Sequence, residues 1–395
     1  MNRPMQFVAQ SHSKVSRRRG IAAILAALML VFMLGVAALA VDIGYLYMNY
    51  GQLQSCADSG ALAGASGLLN PNLFNGTPEA PNGQVGQSAA RSSAIAFAQS
   101  NRVSEAYPVV DSNVSNDSGG DVVIGYLSDP SNPSCTMDFS NPSLYNAVQV
   151  RVRKTSSLNG PVTSFFARAL GSSGTDLAAK ATAVLSSSVV GFQVTSETGN
   201  AGLLPFAVSQ TAWDSLMAGN GSDLYEYSPS AGTVSSGGDG VLEMSMFPIS
   251  NGASGNFGTM DIGNPNNSTA DLERQILSGA NATDLAYFGG SLRLGANGTL
   301  LLNGDTGISA AVKDELDAIK GKPRIIPLYS TVSGPGNNAT YTIVGFVGVR
   351  IMNVKLTGNP KYVTIQPAVV VDDSAILGST SNQSQYVYSD VRLVR

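Results

Sequence analysis

Residues 21–41 read IAAILAALMLVFMLGVAALAV, a run of 21 residues without a charged side chain. As a helix, which rises about 1.5 Å per residue, this run would be about 31 Å long, close to the thickness of a bilayer's hydrocarbon core. The hydrocarbon core offers no hydrogen-bond partners to a bare backbone, so a segment that crosses it must be helical. The run therefore predicts a transmembrane helix at 21–41, in contact with bilayer lipid.

Charge on the two sides of this run predicts its orientation. Residues 1–20 contain no acidic side chain and five basic ones: Arg3, Lys14, Arg17, Arg18 and Arg19. Positively charged flanks of transmembrane helices stay in the cytoplasm. We therefore expect a single-pass protein of the inner (cytoplasmic) membrane, with a basic cytoplasmic tail at 1–20 and the bulk of the chain outside.

A cleavable signal peptide is the rival interpretation of the same run. Ala38-Leu39-Ala40 has the small-x-small pattern of a cleavage site. The apolar cores of signal peptides are about 7–15 residues long, which is shorter than this run, so its length favours an anchor. Cleavage after Ala40 stays an open alternative. Processing of the prepilin type at Gly20 is disfavoured, because Leu25 stands where such precursors carry Glu.

Composition limits the partners of the extracytoplasmic part. The tail holds five of the 23 Lys and Arg residues and none of the 27 acidic ones, so the rest of the chain carries a formal charge of −9. This acidic balance argues against nucleic acid or anionic lipid as the main partner. Hydrophobic residues make up 43% of the chain, which predicts packed domains and not disorder.

Two cysteines, Cys56 and Cys135, lie in this extracytoplasmic part. In an oxidising compartment they could form a disulfide. The alternative is two separate thiols, with Cys56 packed as a small apolar residue on a helix. The sequence leaves both alternatives open, because it does not give the Cα separation on which a disulfide depends.

The predicted helix continues past the membrane, since no proline occurs before Pro71. In this continuation small residues recur at helical spacing, as Ala57, Ala61 and Ala65 on one face and Gly60 and Gly64 on the next. Such a face lets another backbone approach closely. This face either packs on the protein's own first domain or binds a helix of a partner subunit. We favour the first alternative, because a glycine-rich helix exposed to water needs local cover to stay helical.

The remaining pattern is that of a mixed α and β protein. Residues 146–153 (NAVQVRVR) alternate apolar and polar side chains, as a half-buried strand does. A helix is expected at 88–100, a short one at 164–171 and strands at 121–127 and 177–185. Beyond a loop at 71–86 and a domain start near 189, helices are expected at 209–217, 269–277 and 308–320, the last capped by Ser309, and strands at 324–330, 341–354 and 362–371.

No catalytic or metal-binding motif stands out. The single histidine is His12, in the tail, so the extracytoplasmic part has no Ser-His-Asp arrangement and no histidine-based zinc site. Asp372 with Ser374, and Asp111 with Asn113, resemble metal-binding loops only in part, and both fit strand-end turns better. We therefore expect no enzyme activity, no cofactor and no small-molecule substrate.

Several of these segments resemble the TadG-like Flp pilus-assembly family. The resemblance is carried by an Arg-Gly start at 19–20, the exit sequence AVDIG at 40–44, QLQ at 52–54 and ADSGALAGA at 57–65. A second, weaker match covers about 146–185, with FFARALG at 165–171 and AKATA at 179–183. The resemblance implies one α+β unit at 42–190, in which a long helix lies on an antiparallel sheet.

These expectations combine into one prediction. The fold is α+β: a single N-terminal transmembrane helix that continues into a long helix packed on an antiparallel sheet, then a second β-rich extracytoplasmic domain at 191–395. The family resemblance implies a non-enzymatic, membrane-anchored envelope protein that assembles or anchors Flp-type pili with other envelope proteins. The alternative is an extracytoplasmic adhesin or binding module that depends on a metal ion or a glycan.

Overall fold

The structure is a computed structural model of the chain. Most of the predicted basic tail with His12, most of the predicted loop at 71–86, and the predicted cap Ser309 lie outside the residues it describes. It describes residues 16–69, 84–130, 132, 134–172, 174–195, 199–247, 258–264, 268–304, 310–378 and 384–394.

A first unit is built on the N-terminal helix. This helix is continuous for 51 residues, from the predicted span into the body of the protein. A second helix packs on it, and a four-stranded antiparallel sheet covers the other side; its strands lie in the order Val122–Gly125, Ala147–Lys154, Leu177–Val184 and Arg392–Leu393. The elements are α1 (Ser16–Ser66), α2 (Gln84–Ala98), β1 (Val122–Gly125), β2 (Ala147–Lys154) and β3 (Leu177–Val184).

A second unit follows, in which sheets predominate. Its elements up to the middle of the unit are β4 (Val189–Phe192), β5 (Val208–Ser209), α3 (Gln210–Met217), β6 (Tyr225–Ser228), β7 (Thr233–Ser236), β8 (Met244–Phe247), α4 (Thr269–Ser278), α5 (Ala282–Ala286), β9 (Leu292–Arg293) and β10 (Leu300–Asn303). The later ones are α6 (Lys313–Ala318), β11 (Pro323–Ser333), β12 (Thr340–Lys355), β13 (Tyr362–Pro367), β14 (Val370–Asp372), β15 (Ala375–Leu377), β16 (Val387–Ser389) and β17 (Arg392–Leu393).

The centre of the second unit is the long strand β12. It pairs in antiparallel fashion with β11, β13 and β10, within a six-stranded sheet whose path is β5-β11-β12-β13-β8. Strand β4 forms a smaller antiparallel sheet with β9 and β15. Two further pairs, the parallel β14-β16 and the antiparallel β6-β7, complete the sheets of the described part.

The predicted α+β class, with a long helix on an antiparallel sheet and a β-rich second part, is confirmed. Strand β2 is half-buried, as its alternation of apolar and polar residues predicts. Val148, Val150 and Val152 are fully buried under α1. Arg151 and Arg153, on the opposite face, bond the buried carboxylate of Asp121 at 3.2 and 3.0 Å.

Some local predictions differ from the structure. The short helix expected at 164–171 is a single 3₁₀ turn at Ala167–Leu170, which stops at Gly171 in the left-handed region (φ 89°). Residue 190, after which the sequence predicts a domain boundary, lies within β4, and β17 pairs with β3 of the first unit; the boundary itself stays a prediction. A two-residue edge strand carries too little periodicity to be recognised from sequence.

Candidate functional site

The candidate site is α1 itself, at the place where it leaves the predicted span and enters the first unit. Along 21–41 its large apolar side chains are exposed, with Ile21 at 70% and Phe32 at 72%. This is the one helix among the described residues that is long and apolar enough to cross a membrane, and none of its most apolar stretch is buried in the protein. A core helix of a soluble protein would bury such a face, so its exposure here fits a membrane span or a signal sequence near the N-terminus.

Asp42, the first residue after the apolar run, is bound to a distant loop. Its Oδ1 accepts the backbone N–H of Phe165 at 2.7 Å, its Oδ2 accepts that of Ala167 at 2.7 Å, and the N–H of Phe166 lies 3.2 Å from both oxygens. These donors begin the 3₁₀ turn at Ala167–Leu170, so the carboxylate caps that turn. Desolvation opposes ionisation, but the three N–H donors outweigh it and hold the pKa of Asp42 below its ordinary value.

A polar network follows on the next turns of α1. The side chain of Asn49 is fully buried; its Nδ2 donates to the carbonyl of Tyr45 at 2.8 Å, and its Oδ1 accepts from the Ser104 hydroxyl. The Ser104 N–H donates to Gln52 Oε1 at 2.7 Å. Ser104 has a φ of 56°, and its bonds to α1 hold it in this strained conformation.

The small-residue face lies further along the helix, and all five of its predicted members are buried. Ala57, Ala61 and Ala65 are fully buried, and Gly60 and Gly64 are buried beside them. They face Ala90, Ala94 and Ala98 of α2 and the valines of β2. A Cβ atom at Gly64 would lie 2.8 Å from Val148 Cγ1 and 3.0 Å from Ala94 Cβ. The structure thus uses this face to pack α1 within its own unit, the alternative that the sequence favours.

The two cysteines are separate thiols in the structure. Cys56 is fully buried among the small residues of α1, where burial raises the pKa of its thiol to about 11. Cys135 is half-buried outside this core, with its sulfur 3.4 Å from Ser128 Oγ. The hydrogen bond from Ser128 is the main cause that lowers the pKa of Cys135.

The two partial metal-loop motifs are turns. Asp372 is buried; its Oδ2 accepts the N–H of Gly202 at 2.7 Å and its Oδ1 accepts from Ser374 N–H at 3.0 Å, while neighbouring Asp373 is exposed. Asp111 Oδ1 likewise accepts the N–H of Asn113 at 2.8 Å. Among the described residues no three His, Cys, Asp or Glu side chains come together in a way that could hold a metal ion.

A polar cleft of about 840 Å³ lies between the two units. Tyr126 and Asn146 line it from the first unit, and Arg293 and Asp373 from the second, with Arg392 of β17 between them. The sequence gives no signal for this cleft, because its walls come from segments far apart in the chain.

In the sequence, Asp42 is marked only by its place directly after the apolar run, and Phe165 and Phe166 only by their place in a motif. The structure joins them. The position of Asp42 directly after the apolar run is the one signal that could have drawn attention to it. The sequence could not show which loop supplies the N–H donors.

These features define a class of protein: one apolar helix able to span a membrane, continuous with the core of an α+β unit. Two family comparisons agree with this class. Residues 20–67 match a family model described as Flp pilus-assembly TadE/G-like, and residues 75–183 match one described as Tad-like Flp pilus-assembly. The resemblance to Tad-like Flp pilus-assembly proteins that was inferred from the sequence is confirmed over these two stretches of the chain. Comparison with curated proteins and with solved structures gave no match.

Proposed function

We propose that the protein is a non-enzymatic assembly or anchoring component of Flp-type pili, held in the inner membrane by residues 21–41. Its N-terminus lies in the cytoplasm and both units lie outside. The role is mechanical: the protein holds its units at the membrane surface, where other pilus or envelope proteins bind them. It needs no cofactor and no small-molecule substrate.

The observation that carries the proposal is the continuity of α1. One helix of 51 residues has an apolar, exposed N-terminal half and a C-terminal half that packs as the central helix of the first unit. No linker separates the two halves, so a displacement of the unit is transmitted to the membrane span. Independent domains joined by a flexible linker would lack this coupling.

Charge supports the proposed orientation. Arg17, Arg18 and Arg19 directly precede the span, and the part after it is acidic overall. A basic flank favours the cytoplasmic side, since the leaflet there is anionic and translocation of positive charge is disfavoured.

The native Cys135 allows a direct test of orientation. Cys135 is accessible and its thiol pKa is lowered, whereas Cys56 is buried with a raised pKa, so a membrane-impermeant maleimide should react with Cys135 alone. We expect labelling in cells whose inner membrane is intact, and none in the control Cys135→Ser. Labelling only after the inner membrane is lysed would place the body in the cytosol and overturn the proposal.

The assembly role is tested in the source bacterium. Deletion of the gene should abolish or strongly reduce surface Flp-type pili, and the full chain should restore them. A matched variant in which residues 21–41 are replaced by a cleavable signal peptide releases the same two units without an anchor, and it should not restore pili. Normal piliation in the deletion strain would contradict the assembly role.

The alternative, a metal- or glycan-dependent adhesin, has no structural observation in its favour. The sequence motifs that raised it are turns whose oxygen atoms already accept hydrogen bonds from the backbone. It stays a prediction, and a calcium titration by calorimetry on the full chain would measure it.

A further inference from the structure

The loop that Asp42 binds carries two adjacent exposed aromatic side chains. Phe165 is 61% exposed and Phe166 is 51% exposed. Burial of one phenylalanine side chain is worth about 1.5–3 kcal/mol, so a fixed, exposed pair indicates an apolar surface that is covered in the working protein. Arg168, two residues beyond Phe166, is exposed as well.

The position of this loop indicates what covers it. The N–H groups of residues 165–167 bond the carboxylate of Asp42, which directly follows the apolar span. The Phe165 ring also packs edge-on against Tyr45, one turn further along α1, with centroids 4.8 Å apart. The backbone of Phe165 is thus hydrogen-bonded to Asp42, the residue at which the proposed span leaves the hydrocarbon core. Aromatic side chains at that depth favour the membrane–water interface.

We propose that Phe165 and Phe166 insert into the interface of the same membrane that α1 spans, and so form a second membrane contact of the first unit. The contact rests on the proposed anchoring by residues 21–41. The two rings enter the boundary between headgroups and acyl chains, and Arg168 supplies a cation for the lipid phosphates. Tyr47 of α1, 74% exposed, adds a ring to the same belt.

This contact has a mechanical consequence. A single apolar helix is free to rotate about its axis and to change its tilt, because all of its sides make similar contacts with lipid. A loop bound to one side of α1 and inserted in the interface removes both freedoms. The first unit is then held against the membrane in one orientation.

Tryptophan fluorescence tests the insertion in the full chain, reconstituted in phosphatidylcholine–phosphatidylglycerol vesicles. The only native tryptophan, Trp213, is fully buried in the second unit, so the wild type supplies a constant baseline. Phe166→Trp should add emission that is largely lost when the lipids carry bromine near the headgroup end of their acyl chains. The added emission should resist quenching by aqueous iodide.

The matched control is Val114→Trp, at an apolar residue that is 82% exposed. Its loop is bound to Arg91 of α2, through the Ser112 carbonyl, and α2 meets Gly67, the residue directly after α1, at Ala90. Gly67 lies about 37 Å along the helix from Asp42. The Val114→Trp emission should therefore respond to iodide and not to brominated lipid.

A third variant, Leu30→Trp, measured with lipids that carry bromine deep in their acyl chains because residue 30 lies near the middle of the span, separates the two proposals. Quenching of Leu30→Trp by brominated lipid without quenching of Phe166→Trp overturns the insertion and leaves the anchor standing. Absence of quenching in both overturns the anchor itself. If Phe166→Trp resists iodide and also resists brominated lipid, protein covers the loop, either a second copy or another subunit, and the insertion is overturned.

Discussion

The two units bury their interiors with different side chains. The core of the first unit consists mainly of alanine and valine, with Leu53 and Ile124 as its largest fully buried members. The two clusters of the second unit contain Trp213, Tyr341, Phe206 and many leucine and isoleucine side chains.

The difference shows two ways to reach close packing. In the first unit the backbones of α1 and α2 approach each other, and the absence of side-chain volume at Gly60 and Gly64 permits the approach. In the second unit, large side chains fill the space between sheets and helices. The first unit should therefore be sensitive to added atoms and the second to removed ones.

The largest effect is expected from Trp213→Ala in the second unit. Trp213 is fully buried and its Nε1 donates to Gln385 Oε1 at 3.0 Å. Truncation leaves a cavity and an amide oxygen without its donor, so we expect a loss of about 3–5 kcal/mol of unfolding free energy. Hydrogen exchange measured by mass spectrometry should show lost protection in α3 and β11 while α1 and α2 keep theirs. Equal loss of hydrogen-exchange protection in both units would show that the effect of Trp213→Ala is not confined to the second unit.

A smaller loss is expected from one added methyl group in the first unit. Gly64→Ala places a Cβ 2.8 Å from Val148 Cγ1, so the helix must move away from the sheet, at about 1–3 kcal/mol. Gly51→Ala is the matched control on the same helix, because a Cβ there has no atom within 4 Å. It should stabilise the helix by about 0.5–1 kcal/mol.

Thermal unfolding of the two variants in detergent gives opposite shifts if the comparison holds. Destabilisation by Gly51→Ala as well would mean that any substitution on α1 is harmful. An unchanged melting temperature for Gly64→Ala would mean that α1 and the sheet of the first unit are packed loosely enough to accommodate an added methyl group.

The next prediction concerns the stability that the Asp42 carboxylate gives to the first unit. The N–H bonds lower its pKa, so the ionised carboxylate stabilises the folded state fully at a pH above the ordinary value of about 3.9. This stabilisation is lost as the pH falls through the lowered value. The melting temperature of the wild type should therefore exceed that of Asp42→Asn near neutral pH, and the difference should shrink in acid. A difference that is independent of pH would exclude ionisation as its cause.

The smallest effect is expected at the cysteines. Native protein treated with iodoacetamide near pH 8 should be alkylated at Cys135 and not at Cys56, whose pKa of about 11 and full burial keep it a thiol. Both should react in denaturant. Peptide mass spectrometry gives the result, and Cys135→Ser should leave the melting temperature nearly unchanged. Fast native alkylation of Cys56 would show that the interior of the first unit opens easily.

Sequence patterns predicted the elements whose signal is local. The apolar run, the alternation of residues 146–153 and the small residues of α1 each fix a local structure, because a helix repeats every 3.6 residues and a strand every 2. The long strand at 341–354 was predicted for the same reason and is the centre of the largest sheet.

Contacts between distant segments could not be predicted in this way. The bond of Asp42 to residues 165–167 joins parts of the chain that are more than a hundred residues apart. No periodicity marks either partner, since each is a single residue or a short turn. The same applies to Asn49 with Ser104, and to the polar cleft between the two units.

The pairing of β17 with β3 has a consequence for biogenesis. Arg392 and Leu393 lie beside Val184 and Ala183, although the whole second unit separates them in the chain. In the proposed topology β3 crosses the membrane before the second unit does, so the edge of β3 that pairs with β17 stays uncovered until residues 392–393 have also crossed. In that topology the first unit completes its sheet only late in export.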